Sequence, residues 1–440
     1  MEITEEPAIM KVPTLAIPEN HHIMNLVRSI SLKNHSNSSE SISFAPPCYS
    51  SHCSPRRLFD DEQHWTPLVP PPKHENSLAA VTYKCMSSVL TQGQILCIAV
   101  LNGAMAYTGS ESNVIRIWKL PEFTEVGQLK SKEKMVVAIQ VSNDRVFAAY
   151  SDCKVRVWSR KSCGEVTKHV RLATIPKTAS YVQSYMFRKD KMMKHLAPIS
   201  SIDISLSDDI IYTASLDKTV KVWRVSDLKC IETIKAHSAP VNAIVVDDTG
   251  VVYTASDDAS VKVWHRNFGS DASCPHALIV TLQSKSSPVK TLTLNTDAGI
   301  LYGGCTDGCI HYWLKGWFSG QLQYGGMLQG HTHAVLCLTS FGKFVVSGSA
   351  DSTIRIWVRQ QDGEHNHVAV LKGHRGPIRS LVAFPGRGLE DSDEYGCVVC
   401  TGSMDGVIKL WRVRCSSKQG FNGIGLDKFI KVYTQVLLNE

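Results

Sequence analysis

The sequence predicts an all-β protein, a seven-bladed β-propeller that follows a disordered tail. Three observations carry this. A twelve-residue pattern recurs seven times, as YTGSESNVIRIW, FAAYSDCKVRVW, YTASLDKTVKVW, YTASDDASVKVW, YGGCTDGCIHYW, VSGSADSTIRIW and CTGSMDGVIKLW, ending at Trp118, Trp158, Trp223, Trp264, Trp313, Trp357 and Trp411. The tryptophans lie 40, 65, 41, 49, 44 and 54 residues apart, so the unit is about forty residues with insertions. Before about residue 78 no period of 2 or 3.6 survives, and ten of the eighteen prolines fall there.

Each copy reads as strand, tight turn, strand. The first half is small and apolar, Asp or Gly marks the turn, and β-branched residues alternate with charged ones up to the Trp. A further strand precedes each copy, entered in four units at Pro198, Pro240, Pro288 and Pro377, where a missing N–H is tolerated. A fourth follows each Trp, as in Thr124 to Leu129 and Cys230 to Ile234. Four strands repeated radially make a propeller blade. The ring must close or leave unpaired edges. Two segments compete for the closing strand, Tyr83 to Leu90 and Phe429 to Leu438.

This divides the chain into a Ser/Pro-rich tail over 1–78, a propeller over 79–415 with a basic insertion at 160–194, and a C-terminal extension over 416–440. The tail has too few apolar side chains to offset the entropy of ordering. The whole chain is 43% hydrophobic and 20% charged, enough to bury a core. The start, MEITEEP, has no apolar h-region and no Arg-rich amphipathic pattern, which predicts neither a secretory signal nor a transit peptide. The longest apolar run, Ile95 to Tyr107, is interrupted at Asn102 and Gly103 and is too short to span a bilayer. Fourteen cysteines scattered along such a chain predict reduced thiols in the cytoplasm or nucleus. A net charge of +7 is mild for this length, so nucleic acid is not the expected partner.

The Trp-terminated units, the Asp six residues before most of the tryptophans and a His upstream in several units resemble the WD40 repeat. The resemblance covers about residues 77 to 415. It implies that His, a strand Ser or Thr, Asp and Trp form a hydrogen-bonded chain within each blade. Four sets are complete: His195, Thr213, Asp217, Trp223; His237, Thr254, Asp258, Trp264; His331, Ser347, Asp351, Trp357; and His374, Thr401, Asp405, Trp411. Blade one has Ser112 at the Asp position. Blades two and five keep Asp152 and Asp307 but carry Lys132 and Lys285 near the His position and Ala148 and Gly303 on the strand. These three blades are expected to be softer. The residue after each Trp is never the Asp of the family label, a departure that leaves the fold expectation unchanged.

His and Asp together raise the idea of catalytic dyads, but each pair sits at one repeat register and the blade explains it, so no catalytic residues and no cofactor are assigned. Nor is a metal site. Cys397 and Cys400 are three apart on an expected strand and so point to opposite faces. Function on such a ring belongs to its loops and flat faces. The stretch 160–194 holds nine basic residues against Glu165 and Asp190, and reads either as a solvated loop or as a contact for an acidic partner, with Lys189, Lys191 and Lys194 as its candidates. The family resemblance implies that the residue before each turn Asp faces the top surface, and Leu216, Ala350 and Met404 are apolar there.

The Ser-rich leader, the basic insertion, HSAPVNAI and YTASDDASVKVW are most similar to the plant JINGUBANG-like WD40 group, regulatory scaffolds linked with pollen and signalling. That likeness implies a non-enzymatic, monomeric scaffold whose partners are other proteins, a transcription factor among them. A rival reading is a substrate receptor of a cullin-RING ubiquitin ligase. VVCTGSMDGVIKLWRVR resembles the box that binds the ligase adaptor and places Arg414 three after Trp411, though Arg412 stands where Asp is expected.

Overall fold

The computed structural model describes residues 80–416 except 132–133, 164–165, 177–193, 206, 267–275, 285–286, 317–320, 361 and 387–393. Every regular element among the described residues is a strand, 28 in all, arranged as seven four-stranded antiparallel sheets. Blade three shows the pattern, with Ile199–Ser205 innermost, then Ile210–Ser215 and Thr219–Arg224, and Cys230–Lys235 outermost. The others span residues 95–130, 136–175, 241–283, 289–328, 335–371 and 378–416. Each innermost strand packs on the next, and the last, Ile378–Pro385, packs on the first, Ile95–Leu101, so the ring is closed.

Closure is made by a strand from the far end of the sequence. Ala80–Leu90 forms the outer edge of the seventh sheet, antiparallel to Val407–Ser416, from Ala80 opposite Ser416 to Leu90 opposite Val407. Of the two candidates for that place, residues 83–90 hold it. Residues 429–438, the tail expected over 1–78 and the rest of the C-terminal extension lie outside the described residues.

One expectation is corrected. Residues 160–163 and 166–175, read from sequence as the start of a loop insertion, are strand: Val155–Cys163 and Val166–Ile175 make the long outer pair of blade two, with Arg160 opposite His169 and Lys161 opposite Lys168. Val170 and Leu172, about half exposed, lie on its outer strand. Alternating basic and apolar residues satisfy a solvent-facing strand as well as a loop, and the charge count alone hid the period of two. The remaining stretch, 177–193, with Lys189 and Lys191, lies outside the described residues.

The burial pattern explains why the second strands are continuously small or apolar. Ile210–Ser215, Ile300–Cys305 and Phe344–Ser349 have no exposed residue, because a neighbouring blade covers each face of the sheet. The core is thus seven apolar clusters, one at each seam. At the seam of blades two and three, Trp223 packs with Phe147, Ala149, Val155 and Val157. In every blade the innermost strand carries a bulge directly after its first residue. That first residue enters a space kept open by Gly or Ala on the preceding blade. At the closing seam a Cβ on Gly402 would stand 2.5 Å from Ile95 Cγ2.

Three alternate seams carry a polar pair inside the apolar packing. The Tyr107, Tyr212 and Tyr302 hydroxyls lie 3.0, 3.0 and 2.7 Å from Nε2 of His169, His276 and His365, each on the outer strand of the following blade. The rings meet edge to face at 5.7, 5.5 and 5.6 Å. Glu232 of blade three holds His276 from its other side, accepting at 2.7 Å from Nδ1 and at 2.9 Å from the backbone N–H. Burial pushes all three phenols above their ordinary range, so they stay protonated.

Candidate protein-binding face

The turn between the second and third strands of each blade meets the loop that enters the same blade, and these turns and loops make one face, called the upper face below. The backbone N–H before the turn Asp bonds the carbonyl just ahead of the innermost strand: Leu216 to Pro198 at 3.1 Å, Asp257 to Pro240 at 3.1 Å, Met404 to Pro377 at 2.9 Å. Proline has no N–H to offer there but keeps this acceptor. Asp217 itself accepts from the Thr219 N–H at 3.0 Å, and Lys218 between them takes φ +72°.

In blade three the four marked residues form one chain. Trp223 Nε1 donates to Thr213 Oγ1 at 2.9 Å, Thr213 Oγ1 lies 2.9 Å from His195 Nε2, and His195 Nδ1 lies 2.9 Å from Asp217 Oδ2. Burial lowers the His195 pKa against the pull of Asp217, so the ring is neutral at pH 7. Its one proton belongs on Nδ1, facing the carboxylate. Nε2 then accepts the Thr213 hydroxyl proton, and every member has a partner. Burial alone would raise Asp217, but bonds from His195, Thr219 and the Leu196 N–H outweigh it and hold the carboxyl well below its usual range.

The structure brings the other complete sets together in the same way. His237 lies 2.8 Å from Thr254 and 3.0 Å from Asp258, and Trp264 donates to Thr254 at 3.0 Å. His331 lies 2.8 Å from both Ser347 and Asp351, with Trp357 at 3.3 Å from Ser347. His374 lies 2.9 Å from Thr401 and 3.3 Å from Asp405, and Trp411 donates to Thr401 at 3.0 Å. In all four, His clamps the incoming loop to the turn of its own blade.

Blades one, two and five are held otherwise. In blade one Trp118 still donates to Thr108 at 2.8 Å, and Ser112 bonds Ser110 at 2.7 Å. In blade two the buried Arg156 takes Asp152 with two N–H groups, at 3.2 and 2.7 Å, and its guanidinium carbon sits 4.0 Å from the Tyr150 ring centroid. In blade five Asp307 accepts the Cys309 N–H at 2.9 Å, while its own N–H bonds Ser287 at 3.2 Å. Lys132 and Lys285 lie outside the described residues.

The candidate contact residues do not form one patch. Leu216 and Met404 are exposed on the upper face, whereas Ala350 is only partly exposed, on blade six. Lys194 sits partly buried just ahead of His195, where its charge reaches Cys153 of blade two. Arg414 lies seven residues along the strand from Val407, roughly 23 Å at ordinary strand rise, and so toward the opposite face. Cys397 and Cys400 are buried in two different seams, and burial pushes both thiols up to about 12. Among the described residues no cluster of His, Cys, Asp or Glu could hold a metal ion, and no helix is long and apolar enough to cross a membrane.

A closed ring of seven sheets, with its His and Asp committed to joints inside the blades and its turns gathered on one face, defines an interaction propeller. The chain carries WD40 repeats: the model for "WD domain, G-beta repeat" matches residues 189–224, 228–265, 322–358 and 365–412, the four blades with complete sets. WD40 propellers bind other proteins and are in general non-catalytic scaffolds.

Relatives of this chain differ widely. It is 22% identical over 351 residues to nuclear distribution protein PAC1 of Gibberella zeae, covering 69% of this chain and 71% of that one. Against human kinesin-like protein KIF21B it is 22% identical over 320 residues, 72% of this chain and 16% of the other. With cell division control protein 4 of Candida albicans it shares 34% over 85 residues, 19% of this chain and 11% of the other. In KIF21B and cell division control protein 4 the chain thus spans well under a quarter of the relative's length.

Proposed function

We propose that this propeller is a non-enzymatic regulatory scaffold that holds partner proteins on its upper face. The supporting observation is how its chemistry is spent. Each His–Asp pair of the complete blades is saturated by Thr or Ser and Trp within one blade, while large apolar side chains stand exposed at the upper rim: Leu196 on the loop entering blade three is 84% exposed, and Leu90 at the end of the closing strand 74%. A buried, neutral and fully bonded imidazole serves poorly as a general base, and an exposed leucine on a loop serves well as a contact.

Within this reading the protein acts as a monomer in the cytoplasm or nucleus and has a role like that of the JINGUBANG-like plant WD40 group, in pollen or developmental signalling, with a transcription factor among its partners. What supports it is the likeness of the leader, HSAPVNAI and YTASDDASVKVW. Affinity purification of the full chain from native tissue is expected to return stable protein partners that the Leu216→Asp variant loses. Recovery of none above background, even at low salt, overturns the scaffold reading.

A second reading, substrate receptor of a cullin-RING ligase, is favoured by Arg414 following Trp411 at the spacing of the adaptor-binding box. Co-purification with the ligase adaptor, abolished by Arg414→Ala while the upper-face partners remain, is its signature.

A further inference from the structure

The upper face is divided into two unlike halves. On blades four to six its polar groups are paired: Asp257 bonds Asn242 and the Lys290 ammonium, and the exposed Thr332 hydroxyl lies 3.0 Å from His333. On the consecutive arc of blades seven, one, two and three, apolar side chains project instead from blades seven, two and three. Leu90 and Met404 of blade seven, Met135 at the entry to blade two, and Leu196 and Leu216 of blade three are 74%, 37%, 41%, 84% and 41% exposed.

Cations are set among them. Lys134 and Lys218 are exposed beside Met135 and Leu216, Lys194 lies two residues before Leu196, and Arg379 lies exposed at the start of the innermost strand of blade seven, where its charge reaches Cys97 and Cys337. None of the four enters an ion pair among the described residues. Of the carboxylates on this arc, Asp152 is paired with Arg156, Asp217 and Asp405 accept from their neutral histidines and from backbone N–H groups inside the joints, and Glu111 stands exposed.

The arc is also where the regular joint fails in two adjacent blades. Beside the loop entering blade two, which carries no His clamp to the turn of its own blade, a cleft of about 370 Å³ is lined by Glu111, Asn113, Lys134, Met135 and Ser151. Met135 is the apolar residue of its lining and Glu111 and Lys134 the charged ones, and the volume has room for one large side chain.

We propose that this arc binds a short acidic segment of a partner protein, one that seats a large apolar side chain in the cleft between blades one and two and lays carboxylates against Lys134, Lys194 and Lys218. The inference rests on the scaffold reading and adds the chemistry of the partner. Charge complementarity selects the occupant: cations free of ion pairs, interleaved with apolar contacts and outnumbering the exposed carboxylate Glu111, call for the opposite charge on a chain that also carries apolar anchors. A purely polyanionic strand would leave Leu196, Leu216 and Met404 idle.

The test uses the full chain and a displayed library of random peptides. Enriched peptides are expected to be acidic and to carry Leu, Ile, Phe or Met. For one synthesised winner, Lys134→Glu and Leu216→Asp should each weaken binding by about tenfold or more. His333→Glu, an exposed control on the polar half, should change it by less than about twofold. Thermal melts should show all three variants folded. Absence of enrichment, enrichment of basic peptides, tighter binding of a single-stranded oligonucleotide than of the acidic winner, or indifference to both arc variants overturns the proposal. If native partners are retained by the wild type and by both arc variants, the scaffold reading stands and this surface alone is refuted.

Discussion

The Thr213 hydroxyl is where the blade joint is decided, because it accepts from an indole and donates to an imidazole in the same buried place. Thr213→Val keeps the shape and β propensity but strands both partners, a loss of about 1–3 kcal/mol, whereas Thr213→Ser retains the hydroxyl and should lose less than about 1 kcal/mol. Denaturant unfolding of the two variants measures the difference. Protonation acts on the same joint. His195, His237, His331 and His374 all have pKa values lowered by burial, so the folded ring disfavours the charge that the unfolded chain accepts near pH 6.5. Their contribution is fully present above that pH and is lost as pH falls below it. Asp258 and Asp351, held down to about 2, lose theirs at still lower pH, between about 4 and 2. Asp203, raised by burial to about 6, acts the other way and regains stability as pH falls from 6 toward 4. Burial lowers His169, His365 and His367 as well, and these seven imidazoles against one carboxyl give a melting temperature that is flat above pH 7 and falls from about pH 6.5 downward. A midpoint unchanged between pH 7.5 and about pH 5 contradicts this account.

Single elements decide the seams. Residues 80–90 face ten partners on the last strand and supply the seventh blade's edge. A chain trimmed to begin at residue 79 should melt as the full chain does. One beginning at residue 92 loses about ten ladder positions, at roughly 0.5–1 kcal/mol of net hydrogen bonding each, and leaves an open edge. It should melt much lower and aggregate, as light scattering during the melt would show. The Tyr–His pairs work on the same scale: Tyr212→Phe leaves His276 Nε2 without its hydroxyl and should cost about 1–2 kcal/mol, while Tyr253→Phe, whose hydroxyl has only a 3.4 Å contact with Asp247, should cost less.

What could be read from sequence follows from how far apart the partners are. The His–Thr–Asp–Trp sets stand at nearly fixed offsets within one repeat, so aligning the repeats displays them. The Tyr–His pairs join one repeat to the next, 62 to 64 residues apart, and a reading taken one repeat at a time passes over them although the constant separation was present. Arg156 was invisible for another reason. It lies on the third strand, where Lys or Arg is ordinary, and only folding shows that in blade two its guanidinium turns onto Asp152. The division of the upper face was not legible either, since it groups side chains from four blades by their order around an axis. Alternation inside the long outer pair of blade two was legible and was outweighed by a count of charges.

At the scale of the whole molecule, the closing pair has a mechanical consequence. Ala80 and Ser416, the two points from which the ring's chain departs in either direction, are direct partners across one ladder. A pull applied through the two ends would therefore load that ladder one rung at a time, peeling it from Ala80 toward Leu90 rather than shearing all rungs at once. Such a joint resists heat together with the rest of the ring yet yields to small tension. Under an optical tweezer the first event should be a short, low-force lengthening by the outermost strand, well before the remaining blades give way.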